Sequence, residues 1–296
     1  MQSKKKRKKP LTLENLVSKA SISELASIGS IVNEIVKIIR NPNSSASELK
    51  DVIEVDPPLS AKVLRRANSA YYGLRRDVTS MQEAVVFMGF RALKELVLNL
   101  KIGKVFDSDK KIGKYSRREL WKHSLAVALC CKNIYRKEFR EQGEDIYSAA
   151  LLHDIGVMVV EEFAPDEFSQ ILKKIENEGI SISEAEKEIL GFDHTQIGQE
   201  LAAKWDLPEE LTKAIGFHNR PLHASPKFAR AVQTIFVSDY ICKSYKIGFQ
   251  DSISNLKDTY EKSLSALELS EENVEIVIED VFEELKKMEE NGELYP

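Results

Sequence analysis

The chain has 296 residues, of which 43% are hydrophobic and 30% are charged, so it contains enough apolar material for a folded core and is not disordered in bulk. Its 43 Lys and Arg residues against 47 Asp and Glu give a net charge of −4, which disfavours nucleic acid as a partner. Three cysteines cannot form a disulfide framework, and no apolar run approaches the about 20 residues of a membrane-spanning helix, so we expect a soluble, cytoplasmic, reduced protein.

Charge is distributed unevenly between the two ends of the chain. Residues 1–10 contain six Lys or Arg, and we interpret them as a disordered basic tail that is either simply solvated or binds a phosphate backbone or an anionic membrane surface. Residues 251–296 contain 14 acidic and 4 basic side chains. Because this acidic segment also carries Val274, Val277 and Val281 at helical spacing, we expect its helices to pack on the core.

Helix signals dominate the first hundred residues, and strand signals are almost absent. Apolar residues at spacings of three and four predict a helix that begins at Ser21 and ends at the Asn-Pro-Asn turn that follows it. Ser45 and Ser80, each followed three residues later by a glutamate, predict two more helix starts as capping boxes. Further helices are predicted after Asp56, which precedes two prolines, and over 91–101.

A looser segment, 103–114, separates these helices from a second series. Ser116 and the glutamate three residues later predict a capped helix of about twenty residues. Further helices are predicted to begin at Asp145 and to cover 166–178, 183–190, 194–205, 208–217 and 228–245, followed by the acidic pair. We therefore predict an all-α, two-lobed helical bundle with lobes at 11–102 and 103–245 and acidic C-terminal helices at 246–296.

Four of the five histidines and two aspartates lie in apolar surroundings that predict burial. Because a buried charge without a partner is costly, and a divalent ion supplies such a partner, these side chains predict a metal site. Mixed imidazole and carboxylate ligands suit Fe, Mn, Ni or Zn better than Ca or Mg. Taken singly, each histidine is more often a core or surface residue than a ligand. The candidate ligands are His123, His153, Asp154, His194, His218 and Asp239.

The order of these residues resembles the ligand order of a known superfamily. His123, then the adjacent His153 and Asp154, then Asp239 are similar to the ligands of the HD superfamily of metal-dependent phosphohydrolases. His194 and His218 look like the additional histidines of its binuclear branch, which includes the HD-GYP cyclic-dinucleotide phosphodiesterases. The resemblance implies an HD-like fold for the second lobe.

The first lobe narrows the resemblance. The run 56–73, which ends in Ala-Asn-Ser-Ala-Tyr-Tyr-Gly, resembles the signature of the HDOD domain, the HD-related output domain of bacterial signalling proteins. The similarity covers about 21–239. It implies a regulatory or protein-interaction module with a signalling protein as its partner, built on a phosphohydrolase fold that has drifted from catalysis.

Two positions depart from active relatives and bear on catalysis. Val157 stands where active HD-GYP enzymes carry a lysine that can contact substrate phosphate, and Asn219 stands where they place a second histidine. The resemblance therefore implies that a second ion would be poorly held. The alternative function is a mononuclear metal-dependent phosphohydrolase acting on a nucleotide or phosphoester, in which His194 or His218 would orient the phosphate as the catalytic candidates.

Two other binding modes are open from the sequence. The segment 80–100 has helix-turn-helix spacing, in which Arg91, Lys94 and Lys101 could contact DNA phosphates, although the negative net charge and the apolar second helix disfavour DNA. A basic and aromatic patch is either a solvated turn or a site for a partner or a small phosphorylated ligand. Its residues are Arg65, Arg66, Tyr71, Tyr72, Arg75 and Arg76.

Overall fold

A computed structural model describes residues 11–41, 44–54, 56–69, 76–108, 110–290, 292 and 294–295. The predicted basic tail and the Tyr71, Tyr72 and Arg75 positions of the basic and aromatic patch lie outside the described residues. Within them, the prediction of an all-α protein is confirmed, since a single hairpin of two-residue strands is the only sheet.

The elements follow one another in chain order. The first lobe contains α1 (Leu13–Ala20), α2 (Glu24–Arg40), α3 (Ala46–Glu54), α4 (Pro57–Ala67), α5 (Met81–Met88) and α6 (Phe90–Phe106). After β1 (Lys111–Ile112) and β2 (Tyr115–Ser116) come α7 (Arg117–Lys137), α8 (Glu144–Leu151), α9 (Ile155–Phe163), α10 (Pro165–Glu178), α11 (Ile182–Leu190), α12 (His194–Lys204) and α13 (Glu209–Phe217). A 3₁₀ turn, Pro221–His223, precedes α14 (Ala229–Ser244), α15 (Lys257–Ala266) and α16 (Glu271–Glu290).

Local hydrogen bonds explain where several of these helices begin. The Asp56 carboxylate accepts from the Leu59 backbone N–H at 3.0 Å, and prolines follow it in the first turn of α4. The hydroxyls of Ser80 and Ser116 accept in the same way at the starts of α5 and α7. Within the signature run, Asn68 pairs its side-chain amide with both backbone groups of Val78, which fixes the entry to α5.

Several predicted boundaries are displaced by a few residues. Ser23, and not Ser21, caps α2, while Ser181 caps α11 in a capping box two residues before the predicted start. Gly143, in a left-handed conformation with φ 73°, precedes α8 in place of Asp145. The predicted looser segment is in part helical, because α6 continues to Phe106 before the hairpin begins. The short helix α1 was not predicted.

Helices of the first lobe contact helices of the second lobe directly. Helix α7 contacts α8, α14 and α16, and α12 contacts α9 and α13, so the second lobe is a tight bundle. Helix α1, at the start of the chain, packs on α9 and α12 of that bundle. Trp121 on α7 is buried against Phe106 and donates its indole N–H to the Leu294 carbonyl at 2.7 Å. This hydrogen bond fixes the C-terminal segment to α7, at the point where α7 meets Phe106 of the first lobe.

The described helices also bear on DNA and membrane binding. Lys94 and Arg91 both pair with Glu144, and Lys101 pairs with Asp56. These three cations, which the helix-turn-helix interpretation assigned to phosphate contacts, therefore form internal ion pairs that tie α6 to α8 and α4. Among the described helices, none combines the length and the apolar composition needed to cross a membrane.

Replacing Gly156 by alanine is expected to destabilise the protein. The added Cβ would lie 2.1 Å from the His194 backbone oxygen, so α9 would have to move away from α12 at an overpacking cost of about 1–3 kcal/mol. Gly198→Ala is the matched control, because its Cβ would approach a movable Ile215 methyl group at 2.9 Å. Urea unfolding measures both. A loss for Gly156→Ala no larger than for the control would contradict this packing.

Candidate metal centre

The six candidate ligands converge inside the second lobe although they come from distant parts of the chain. His123 lies on α7, Asp239 on α14, and His194 is the first residue of α12. His218 follows α13 directly. Each of the six side chains belongs to a residue that is at most 5% exposed. Their convergence creates a buried cluster of imidazoles and carboxylates, here called the histidine–aspartate centre.

His153 and Asp154 do not lie on a helix. They occupy the turn between α8 and α9, and Asp154 is the residue that precedes α9. Apolar neighbours on both sides gave the pair the appearance of a continuous helix. The turn removes the divergence of about 100° between adjacent helical residues, so both side chains can face one point.

The Asp154 carboxylate is the common neighbour of all four imidazoles. Its Oδ2 lies 3.3 Å from His153 Nε2 and 4.0 Å from His123 Nε2. Its Oδ1 lies 3.3 Å from His194 Nε2 and 3.6 Å from His218 Nε2. One carboxylate therefore faces two pairs of histidines, one pair through each oxygen.

Asp239 lies beside His123 and His153, the two histidines that face Asp154 Oδ2. Its Oδ1 lies 2.8 Å from His123 Nε2 and 3.9 Å from His153 Nε2. His123, His153 and Asp239 each offer one ligand atom, and these atoms lie within 4.8 Å of one another. The same spacing holds for His153, Asp154 and His218. Both groups have the donor types and the spacing that a transition-metal ion requires.

Outer hydrogen bonds aim the four Nε2 atoms at this point. The Nδ1 atoms of His153 and His218 lie 2.7 Å from the Ala150 and Ile215 carbonyls, and that of His123 lies 3.2 Å from the Ile247 carbonyl. Since a carbonyl can only accept, each Nδ1 carries the proton and donates it. Metal-binding histidines are typically oriented by such outer partners.

The residues present fit a metal ion. His153 Nε2 is a buried nitrogen without a hydrogen-bond partner among the described residues, although its Nδ1 is committed to Ala150. A buried imidazole nitrogen without a hydrogen bond is costly in a folded core, and a metal ion would satisfy it. His153 belongs to both groups of possible ligands, which together contain His123, His153, Asp154, His218 and Asp239.

His194 has a carboxylate as its outer partner, whereas the other three histidines have backbone carbonyls. Glu186 on α11 accepts from both the backbone N–H and the Nδ1 of His194, at 2.8 and 2.6 Å. The Asn219 side-chain nitrogen lies 3.1 Å from His194 Nε2. Burial lowers the pKa of His194, but the Glu186 carboxylate outweighs burial and raises that pKa to about 9. His194 is therefore held by two carboxylates, those of Glu186 and Asp154, with the Asn219 amide beside it.

A buried lysine offsets the negative charge of the Asp239 carboxylate. Lys243, one helical turn after Asp239 on α14, has its Nζ 3.0 Å from Asp239 Oδ2 and 2.8 Å from Asp251 Oδ1. Burial raises the pKa of Asp239, but Lys243 and His123 outweigh burial and hold that pKa well below its usual range. Asp239 therefore remains ionised.

The other pKa shifts also result from the opposing effects of burial and neighbouring charges. Burial raises the pKa of Asp154, yet His153, His218 and His194 together bring it well below its ordinary value. Burial lowers the pKa of His153, while Asp154 and Asp239 raise it above the ordinary value. For His218, burial dominates and the pKa is lowered.

Sequence reasoning missed the outer partners of the centre. Lys243 had a readable signal, since a lysine four residues after a buried aspartate faces the same side of a helix. Glu186 and Asp251 gave no signal, because their contacts depend on how α11 and the 247–251 loop pack. Gly248 brings that loop onto α7: its φ is +74°, and an added Cβ would lie 2.5 Å from the His123 backbone nitrogen.

Comparison with known proteins identifies the family. The sequence-family model of the HDOD domain matches this chain over residues 25–221, which is more than half of its length. The chain therefore belongs to the HDOD family, as its resemblance to that signature predicted.

The chain is also similar to individual proteins. A Treponema pallidum (strain Nichols) protein described as uncharacterized is 26% identical over 216 residues, covering 72% of this chain and 41% of its own length. The structure of an HDOD domain protein of unknown function from Geobacter sulfurreducens is 27% identical with a TM-score of 0.74, covering 93% of both chains. A candidate signal-transduction protein from Marinobacter aquaeolei VT8 has a TM-score of 0.74 at 22% identity, covering 98% of this chain and 62% of its own, which shows the fold alone. The chain spans less than half the length of the curated relatives it matches.

The stability of chelator-treated protein is expected to fall as the pH rises from about 6.5 to about 9. The pKa of His194 is raised to about 9 in the fold, above the roughly 6.5 of an unfolded histidine, so its protonation stabilises the fold below pH 6.5 and that contribution is lost toward pH 9. Glu186→Gln should flatten this dependence, which thermal unfolding at several pH values would measure. The control is Glu184→Gln, on the exposed side of α11. Equal pH dependence in all three proteins would contradict the assignment.

Proposed function

We propose that this protein is a signal-transduction output or protein-interaction module whose second lobe retains one divalent transition-metal ion in a structural centre. The observation that carries the proposal is the convergence of four Nε2 atoms within 4.0 Å of the buried Asp154 carboxylate. Structural metal sites are closed by protein ligands, whereas catalytic sites keep an open position. The burial of every candidate ligand supports the structural alternative.

Four residues would hold the ion. His123, His153, Asp154 and Asp239 come from α7, the turn between α8 and α9, and α14, so their shared ligation would tie three parts of the bundle together. The charges support a divalent ion, because Lys243 and Asp251 offset each other and leave Asp154 and Asp239 with two negative charges. When bound, such an ion can lower the pKa of a water ligand and stabilise charge on phosphoryl oxygens.

The chain's own residues support a role without turnover. Val157 is fully buried and offers no cation to a substrate phosphate, where the resemblance implies a lysine in active enzymes. The Asn219 amide lies against His194 Nε2, on the nitrogen that a second ion would need. A substrate would also have to reach ligands that are at most 5% exposed.

A mononuclear metal-dependent phosphohydrolase acting on a nucleotide or phosphoester is the second candidate function. The complete ligand set favours it, since a module that only binds a partner has no need of four inward-facing imidazoles. In that case His194 and His218, which lie on the Oδ1 side of Asp154, would orient the phosphate.

We further propose a signalling protein as the partner and the cytoplasm as the compartment. The likeness of the fold to a candidate signal-transduction protein supports such a partner. The cysteines are free and buried, and this suits a reducing compartment. The internal ion pairs of Arg91, Lys94 and Lys101 support a partner other than DNA.

Purified protein is expected to carry about one Fe, Mn, Ni or Zn ion per chain. Removal of the ion should lower the melting temperature, and neither the metal-bound nor the metal-free protein should turn over a substrate. An ion present at 100 times its Kd stabilises by about 2.7 kcal/mol, which in a chain of this size corresponds to a shift of roughly 5–10 °C. Elemental analysis, thermal unfolding and a screen of phosphodiester and nucleotide substrates test this expectation.

Asp154→Ala should lose the ion and the stability gain, whereas Asp258→Ala, at an exposed position on α15, should keep both. Protein purified without any transition metal would contradict the proposal. Turnover by the wild type that disappears in Asp154→Ala would replace the structural role with the phosphohydrolase.

Replacing Asn219 by histidine is expected to raise the metal content from about one toward two ions per chain. The substitution removes the amide beside His194 Nε2 and adds an imidazole donor on the same side of Asp154. Asn219→Ala is the control, because it removes the amide without adding a ligand and should leave the content at one. A histidine variant that binds no more metal than the alanine variant would show that Asn219 does not limit the centre.

A further inference from the structure

A second site lies outside the histidine–aspartate centre. A cleft with a volume of about 1270 Å³ opens between the first lobe, α7 and α16. Its walls come from α4, α6, α7, α8 and α16, and the six candidate metal ligands are not among its lining residues. Its chemistry can therefore be considered independently of the metal.

The cleft is cationic in an acidic protein. Its described lining contains eight Lys or Arg and three Glu, whereas the whole chain has a net charge of −4. The cations come from three walls: Lys62 and Arg65 from α4, Arg91 and Lys94 from α6, and Lys132 and Arg136 from α7. A concave surface with an excess of one charge concentrates ligands of the opposite charge. Arg91, Lys94 and Lys132 are paired with two of these glutamates, and the lining still has an excess of five positive charges that selects an anion.

Two of these cations are held in place before any ligand arrives. Lys94 and Lys132 are each only 6% exposed. Lys94 Nζ lies 3.1 Å from Glu144 and over the Phe90 ring, and Lys132 Nζ lies 3.0 Å from Glu95 and over the ring of Tyr147. Buried ammonium groups fixed by carboxylates and aromatic faces form a prearranged site, unlike flexible surface lysines.

The N-terminus of α6 supplies backbone donors to the same cleft. Gly89, with φ +81°, is the residue before this 17-residue helix, and within the described residues no side chain caps its first N–H groups. Gly89, Phe90, Arg91 and Ala92 all line the cleft. An uncapped helix N-terminus carries about half a positive charge and is a common phosphate-binding feature. The cationic walls and the uncapped helix are independent indications of one ligand chemistry.

We propose that this cleft binds a phosphate-bearing small molecule of nucleotide size, with its phosphate at the N-terminus of α6 and the cations of α4 and α7 around it. The volume exceeds what a lone phosphate needs and accommodates a nucleotide. On the wall, Asn99 accepts the Tyr147 hydroxyl at 2.7 Å, which leaves the amide N–H groups of Asn99 available for a polar group of the ligand. The protein would then sense a ligand through a site separate from its metal.

Isothermal titration with ATP, GTP and inorganic pyrophosphate at low salt tests this proposal. Saturable binding of a nucleoside triphosphate is expected, weakening as salt is added because the attraction is electrostatic. Arg65→Glu and Lys62→Glu, both on α4, should each weaken binding about tenfold or more by removing a charged contact and adding repulsion. Lys173→Glu, at an exposed position on α10, makes the same charge change outside the cleft and should bind within about twofold of the wild type.

Metal content measured on the same samples separates this site from the histidine–aspartate centre, since the α4 variants should retain their ion. Thermal unfolding checks that they remain folded. The proposal is overturned if none of the three probes binds saturably, if Arg65→Glu and Lys62→Glu bind as tightly as Lys173→Glu, or if a polyglutamate peptide binds as tightly as the nucleotides. The last result would identify the cleft as a surface for acidic proteins.

Discussion

Four imidazole rings share the buried Asp154 carboxylate, and the helices of the second lobe are arranged around this cluster. Each ring is fixed from behind: three donate Nδ1–H to backbone carbonyls, and His194 donates to Glu186. Each Nε2 is thereby turned inward. Because buried polar atoms without partners destabilise a fold, a cluster of this kind persists when its members satisfy one another or share an ion.

The surrounding packing serves this geometry. Gly156 lets α9 approach the His194 backbone, and Gly248 lets the 247–251 loop lie on α7 beside His123. Lys243 and Asp251 form a buried pair next to Asp239, which lets that carboxylate stay ionised inside the core. Close backbone approach and paired charge together explain how so many titratable groups coexist at nearly zero exposure. The burial of all six candidate ligands is the physical basis for proposing a structural role for the centre.

Local signals made most of the fold predictable from the sequence. Helix starts at Ser80 and Ser116 depend on hydrogen bonds within one turn, so they could be identified without tertiary information. Where two serines lie two residues apart, as at Ser21 and Ser23, the local pattern could not choose between them. The candidate ligands could be named because histidines and aspartates in apolar runs are conspicuous. The turn that holds His153 and Asp154, and the contact between Glu186 and His194, depend on how helices pack, and no local pattern encodes them.

X-ray absorption spectroscopy at the edge of the metal in freshly purified protein tests the central claim most directly. Cys130, Cys131 and Cys242 are buried in the same lobe. The Cys131 Sγ lies 3.2 Å from the Oγ of Ser238, the residue before Asp239. Sulfur is therefore the realistic competing ligand. We predict a first coordination shell of imidazole nitrogen and carboxylate oxygen at about 2.0–2.2 Å. A shell containing sulfur at about 2.3 Å would contradict the assignment of the ion to the histidine–aspartate centre.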